Sequence, residues 1–434
     1  MERKKRPGLE WCSGVFAPTP KWTHEPSLSA IEAVCCRSLG TASCSVKFLA
    51  AGVWNKAYTI TLEDGRQYLM RVSLPLDPKN KIRGEVATLR IVRSATTVPV
   101  PEVYAFDDSS ENEIGYEWIL MQLMPGKPLY YHWRKMTFTQ KINLVNQIAS
   151  YQNQLFNCST RENCLYGIGT LGTGNETIEG LEPDKVEPGP LVSQLFFIGN
   201  HYDYDVQRGP FRRSYEWMRA SLDIIIKSQE DAISKAADEE DKEDAMEDMR
   251  IIRQLEDILP AVFSPTDDQP HSLERTVLWH NDLNLHNILV DTNGEITAII
   301  DWECVSMLPL WVARQQPDFL SGSVQEIKPE RDTFTKKTEL EEQSASEIDK
   351  LDDEGIDELY WISLMEYEKT QLRKVYAARM HLLWPEWYSI QQEYLKADFY
   401  DAATCIATGF IKPIINWIDA IKRKEEVRLM EILK

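Results

Sequence analysis

No apolar run in this chain approaches the roughly 18 residues that would mark a membrane-spanning helix, so no transmembrane segment is expected. The eight cysteines show none of the paired spacings of a zinc site. Cys35 and Cys36 are adjacent, which suits neither an ordinary disulfide nor a zinc knuckle, so all eight are read as reduced thiols in a cytosolic-type compartment. The opening MERKKRPGLEW lacks the apolar centre of a secretory signal, and Glu2 and Glu10 weaken a mitochondrial reading without removing it. Positive charge is short as well: 48 Lys and Arg against 68 Asp and Glu leave a net charge of −20. Such a surface repels nucleic-acid backbone and anionic membrane. It serves solubility first, and it would also draw a cationic substrate.

What is present is a core-forming chain of 434 residues with 43% hydrophobic residues. That is enough for one large two-lobed unit or two to three ordinary domains. Residues 1–44 are read as an N-terminal extension with a short helix over Ser29–Leu39. From Ser45 the period changes: 46–62 and 65–74 are expected as two strands joined at Glu63-Asp64-Gly65. A helix over 81–94 follows, with Ile82, Val86, Leu89 and Val92 or Ile91 on one apolar face. Then come an extended 98–109 and an apolar strand stopped by Pro125-Gly126. This predicts a small α+β lobe over 45–123 and a large, mainly helical lobe over 124–434. In the large lobe, 137–156 reads as an amphipathic helix capped by Thr137, 167–190 as a loop, and Ser214–Leu259 as a long helical region. The acidic 322–358 reads as a long flexible insertion or a mobile helix, and 359–423 as aromatic-rich helices.

Chemistry concentrates in WHNDLNLHNILVD (279–291) and EITAIIDWE (295–303). Phosphoryl transfer needs a carboxylate to orient a hydroxyl and take its proton, and hard oxygen donors to hold magnesium against phosphates. His280-x-Asp282-x-x-x-x-Asn287 supplies a carboxylate and an amide from one loop. ILV and ITAII, joined through Asp291-Thr292-Asn293-Gly294, form a hairpin that returns Asp301 beside Asn287. A base and two metal ligands would thus surround one point. His280 is expected to buttress the loop by hydrogen bonding.

This pattern resembles the catalytic and metal-binding loops of the aminoglycoside phosphotransferases, a family with a protein-kinase-like fold. The resemblance implies that Asp282 is the catalytic base and that Asn287 and Asp301 bind Mg2+ in catalytic segment 279–303. AAGVWNKAYTI (50–60) resembles the family's nucleotide-covering loop; only one glycine is present, and backbone N–H groups from Gly52 through Asn55 to Lys56 are expected to contact phosphate oxygens. Arg71 occupies the place where kinases usually carry Lys, with Glu85 as its partner. LMQLMPG (120–126) resembles the interlobe hinge, and Gln122 and Met124 are the candidates for backbone contacts to adenine. Asn281 replaces the Arg that precedes the base in many protein kinases, which points to a small-molecule substrate. Segments including VPVPEV (98–103) and 299–320 are similar to fungal members of the family, among them the altered-inheritance-of-mitochondria proteins. The expectation is an ATP- and Mg2+-dependent phosphotransferase acting on a small-molecule hydroxyl, cytoplasmic or alternatively mitochondrial. Two alternatives stand beside it. One is a nucleotide-binding pseudokinase with a structural or mitochondrial role, favoured by Arg71 and the sparse glycine. The other is a choline- or ethanolamine-kinase-like enzyme, whose aromatic cage Trp302 and Trp311 would allow.

Overall fold

A computed structural model describes residues 6–14, 17–158, 167–172, 186–265, 274–334, 358–385, 387, 393–405, 411–425 and 427–429. The N-terminal stretch forms a hairpin of β1 (Leu9–Cys12) and β2 (Thr19–Trp22), followed by helix α1 (Leu28–Leu39). Ser27 caps α1 by accepting from the Ala30 N–H, and Gly40 ends it in the left-handed region at φ 63°. The hairpin was not expected from sequence.

Five antiparallel strands, β3 (Cys44–Ala51), β4 (Asn55–Leu62), β5 (Gln67–Ser73), β6 (Val103–Asp107) and β7 (Glu117–Gln122), form a sheet of order β3-β4-β5-β7-β6. The expected single strand over 46–62 is in fact two. Gly52 N donates to Asn55 O at 2.9 Å and folds the chain into a tight turn, so β3 pairs with β4. Beneath the sheet, Ile31, Tyr58, Ile60, Met70, Val72 and Trp118 make one core.

Helix α2 (Asn80–Ala95) is wedged between two cores rather than lying with one apolar face inward. Ile82 and Val86 pack with Ile119 and Met121 of β7, while Ala87, Leu89, Ile91 and Val92 join the large-lobe core. Gly84 allows this close approach: a Cβ there would sit 2.4 Å from Thr170 Cγ2.

Beyond β7, the two-residue strand β8 (Lys127–Pro128) leads to α3 (Phe138–Asn157), whose N-terminus is closed by a Thr137–Gln140 capping box. The expected loop over 167–190 contains β9 (Gly169–Gly172) and β10 (Glu187–Pro188), which its Gly- and Pro-rich composition had hidden. A short α4 (Gln194–Phe197) follows. The long helical region divides into α5 (Ser214–Lys235) and α6 (Glu239–Val262), with Asp238 as the N-cap of α6 and acidic residues in its first turn. Strands β11 (Thr276–Trp279), β12 (Ile288–Val290), β13 (Ile296–Ile299) and β14 (Ser306–Pro309) then build two small sheets, β10-β9-β14-β11 and β13-β12-β8. Helices α7 (Leu310–Ala313), α8 (Glu358–Leu383), α9 (Tyr394–Cys405) and α10 (Ile411–Lys422) complete the helical lobe. Most of the acidic insertion, residues 335–357, lies outside the described residues. Its start is held on α8, where Gln325 N donates to Thr370 Oγ1 at 3.0 Å and Arg373 donates to Ser323 O at 2.7 Å.

The expected two-lobed α+β architecture is thus what the chain adopts, with the five-stranded sheet in the small lobe and mostly helices in the large one. Among the described residues no helix is long and apolar enough to cross a membrane.

Candidate active site

The loop between β11 and β12 is shaped by its own polar side chains. His280 is buried, and burial pushes its imidazole down to about 4, so the ring is neutral. Its Nε2 donates to Ile300 O at 3.2 Å, which leaves Nδ1 to accept from Asp282 N at 3.4 Å. The ring meets Trp302 edge-on at 4.8 Å. His280 therefore acts as a strut between the loop and the segment that carries Asp301.

Asp282 is exposed, whereas Leu283 and Leu285 are buried and anchor the loop. Its carboxylate accepts from Asn284 Nδ2 at 2.7 Å and from Asn287 Nδ2 at 3.0 Å. Asn287 Nδ2 also donates to Asp282 O at 2.8 Å, which leaves the amide oxygen of Asn287 as the group offered to a cation. The β12–β13 hairpin turns at Asp291, whose carboxylate accepts from the N–H groups of Asn293 and Glu295. Ile300 N then donates to Asn287 O at 2.9 Å, so the hairpin sets Asp301 alongside Asn287. Asp301 has φ 65°, a left-handed conformation that a non-glycine residue adopts at some cost in strain. Burial, with the nearby charge of Glu303, pushes its carboxyl up to about 6 against the opposing pull of Arg71 and Lys81.

From the small lobe, Arg71 of β5 pairs with Glu85 of α2, and its Nη1 stands 3.5 Å from Asp301 Oδ1. Asn55, at the start of β4, donates Nδ2 to both Glu303 oxygens at 2.9 Å and accepts at Oδ1 from Ser73 Oγ at 2.7 Å. Lys81 Nζ lies 2.5 Å from Glu303 Oε2 and 3.2 Å from Asn55 Oδ1. Burial pushes Glu303 up, but Lys81 and Arg71 outweigh it and hold the carboxyl below its ordinary range. Lys81 and Glu303 escaped the sequence reading. The available signals were the spacing of Lys81 four residues before Glu85 on one helix face, and the place of Glu303 within IIDWE.

Other expected positions fall elsewhere. The Lys56 ammonium is turned away from the cleft, 2.6 Å from Glu25 and 4.5 Å from the Trp22 ring centroid, because it lies on the opposite face of β4 from Asn55. Gly52 sits in the exposed turn preceding Asn55. Gln122 N donates to Glu102 O at 2.8 Å and is thereby committed to the sheet, whereas Met124 lies beyond the end of β7. Trp302 and Trp311 are fully buried, with indole N–H groups donated to Ile299 O and Ser214 Oγ. They are core residues and present no open ring face for a cationic cage. His286, given no role from sequence, stacks on exposed Tyr130 at 4.6 Å.

Among the described residues, no three His, Cys, Asp or Glu side chains form a metal cluster. Asn287 and Asp301 nevertheless fit magnesium. Both offer hard oxygens, and the ion is ordinarily held by one or two protein carboxylates with phosphate and water completing its shell. The crowded Asp301 carboxylate is short of the positive charge such an ion brings.

The model of the phosphotransferase enzyme family matches residues 45–312. A subtelomeric hrmA-associated cluster protein of Aspergillus fumigatus is 27% identical over 313 residues, 62% of this chain and 59% of that protein. Altered inheritance of mitochondria protein 9, mitochondrial, of Saccharomyces cerevisiae is 21% identical over 67% of this chain and 52% of that one. The chain thus spans between half and two thirds of the length of these two relatives. Among solved structures, the ethanolamine kinase of Plasmodium vivax aligns over 90% of this chain and 80% of its own, at 12% identity and a TM-score of 0.41.

Proposed function

Because the chain belongs to the phosphotransferase enzyme family, we propose that it transfers the γ-phosphoryl group of ATP, with Mg2+, to a hydroxyl of a small molecule. The observation that carries the reading is the convergence of Asp282, Asn287 and Asp301, joined by the Asn287–Asp282 bond and the Ile300–Asn287 backbone bond. Asp282, exposed at the loop surface, orients the acceptor hydroxyl and accepts its proton. The Asn284 and Asn287 amides fix its carboxylate in place. Asn287 and Asp301 hold magnesium, which when bound neutralises charge on the phosphate oxygens. Arg71 holds phosphate oxygens from the small lobe, with Glu85 fixing its guanidinium. The backbone N–H groups of Val53 and Trp54, at the tip of the turn that Gly52 N closes on Asn55 O, line the phosphates, and the backbone near Met124 receives adenine. Asn55 acts through Glu303 rather than through direct phosphate contact, and Lys56 is a small-lobe strut.

The acceptor is a metabolite-sized alcohol, and the acidic surface favours a neutral or cationic one. A mitochondrial location is the alternative to the cytoplasm, supported by the yeast relative's name. The test pairs ATP binding, with and without magnesium, with a phosphate-transfer screen over hydroxylated metabolites. Magnesium should strengthen ATP binding, and Asp301→Asn should remove that gain while the fold is retained. Equal binding with and without the ion contradicts the metal assignment. Magnesium-dependent binding with no transfer across the panel favours the pseudokinase alternative.

A further inference from the structure

The Lys81 side chain is fully buried, with 0% of its surface exposed, and faces a carboxylate on the opposite lobe. Its ammonium reaches Glu303 at 2.5 Å and Asn55 at 3.2 Å, and Asn55 in turn grips both oxygens of Glu303. Three segments meet here: the start of β4 after the nucleotide-covering turn, the first turn of α2, and the residue two positions past Asp301. A buried ion pair of this kind is a poor device for stability alone, because apolar residues of like volume would serve as well.

Building on the nucleotide site proposed above, we propose that Lys81 is a positioning residue: by clasping Glu303 against Asn55, it sets the Asp301 segment and the nucleotide-covering turn at the separation that Mg2+-nucleotide requires. Helix α2 then reaches the metal-ligand segment twice on one face, through Lys81 to Glu303 and through Glu85 and Arg71 to Asp301. The fit of Gly84 against Thr170 seats that face on the large lobe.

The sign of one measurement separates this role from a simple charge effect. Removing a cation beside two carboxylates would, by Coulomb's law alone, tighten a divalent ion. Loss of positioning weakens it. The probe is AMP-PNP binding followed calorimetrically, with Mg2+ and separately with EDTA, for wild type, Lys81→Met, Lys81→Arg and Asn55→Ala. Lys81→Met and Asn55→Ala should each weaken Mg2+–AMP-PNP by about tenfold or more, as loss of outer-shell partners does, while metal-free binding moves by less than about threefold. Lys81→Arg should restore most of the loss. If Lys81→Met fails to fold, Asn55→Ala decides, since it leaves the ion pair and net charge intact. Unchanged or tighter Mg2+–AMP-PNP binding by Lys81→Met, or by Asn55→Ala where that variant decides, overturns the inference and leaves the proposed function standing. Wild type that gains nothing from magnesium overturns the proposed function itself, and the inference with it.

Discussion

Arg71 Nη1 lies 3.5 Å from Asp301 Oδ1 while Nη2 of the same fork pairs with Glu85, so one guanidinium joins α2 to the segment proposed to hold the metal. Lysine would make both contacts from a single nitrogen, whereas the Arg71 guanidinium spreads them over two nitrogens of a planar fork. The Arg71 and Glu85 side chains are 10% and 2% exposed, which makes this pair buried rather than solvated. Arg71→Met leaves Glu85 without its counter-charge and should cost about 3–5 kcal/mol in urea unfolding. Arg71→Met/Glu85→Leu should recover most of that stability without restoring nucleotide affinity. A denaturation midpoint unmoved by the single substitution contradicts the buried-pair account.

Gly84→Ala should destabilise the protein even though alanine is the better helix former. The new methyl would approach Thr170 Cγ2 to 2.4 Å. Thr170 cannot turn away freely, because its hydroxyl bonds Ser306 Oγ at 2.7 Å and accepts from Val192 N at 2.9 Å. Overpacking of this kind costs about 1–3 kcal/mol. Thr170→Ser, which removes the offending methyl and keeps the hydroxyl, should rescue it. Thermal melting of the single and double variants checks both statements, and a Gly84→Ala variant more stable than wild type contradicts the close-packing account.

Glu117 supplies a pH dependence whose sign is fixed. Burial pushes its carboxyl from 4.5 up to about 8, although Lys79 N donates to it at 2.7 Å and Lys81 lies near. Between those values the folded protein keeps a proton that the unfolded chain has lost. Stability from this group therefore falls as pH rises through the window. Glu117→Gln keeps the Lys79 contact and has no proton to release. Its melting temperature relative to wild type should rise steadily between about pH 5 and pH 8. A constant difference across that range contradicts the assignment.

The β12–β13 hairpin was legible because its signals are local: a turn at Asp291–Gly294, short apolar strands, and polar residues at fixed spacing. Thr137 and Phe138–Asn157 were legible for the same reason, since a cap and a helical period are written in neighbouring residues. The β1–β2 hairpin was not, because tertiary contacts define it. Tyr116 donates to His24 O at 2.7 Å, and Arg6 donates to Leu76 O, Phe197 O and Gly199 O, tying the two lobes together. The direction of the Lys56 side chain was not legible either: strand alternation sends it to Glu25 once Asn55 faces Glu303. The Lys81–Glu303 contact joins residues 222 positions apart on two lobes, which no local pattern encodes.

The central claim rests on Asp282, which bonds Asn284 and Asn287 and faces solvent at the surface of its loop. Asp282→Asn preserves the size of the side chain but replaces a proton acceptor with an amide that is a very poor base. The decisive measurement determines Mg2+–ATP affinity and phosphate transfer together, for wild type and Asp282→Asn, with whichever acceptor the screen identifies. Transfer should fall by a factor of about 10²–10⁴, the usual worth of a general base, while ATP affinity stays near the wild-type value. Near-normal transfer by the variant would contradict the assignment of Asp282 as the base. Joint loss of folding and ATP binding would make Asp282 a structural residue of the loop.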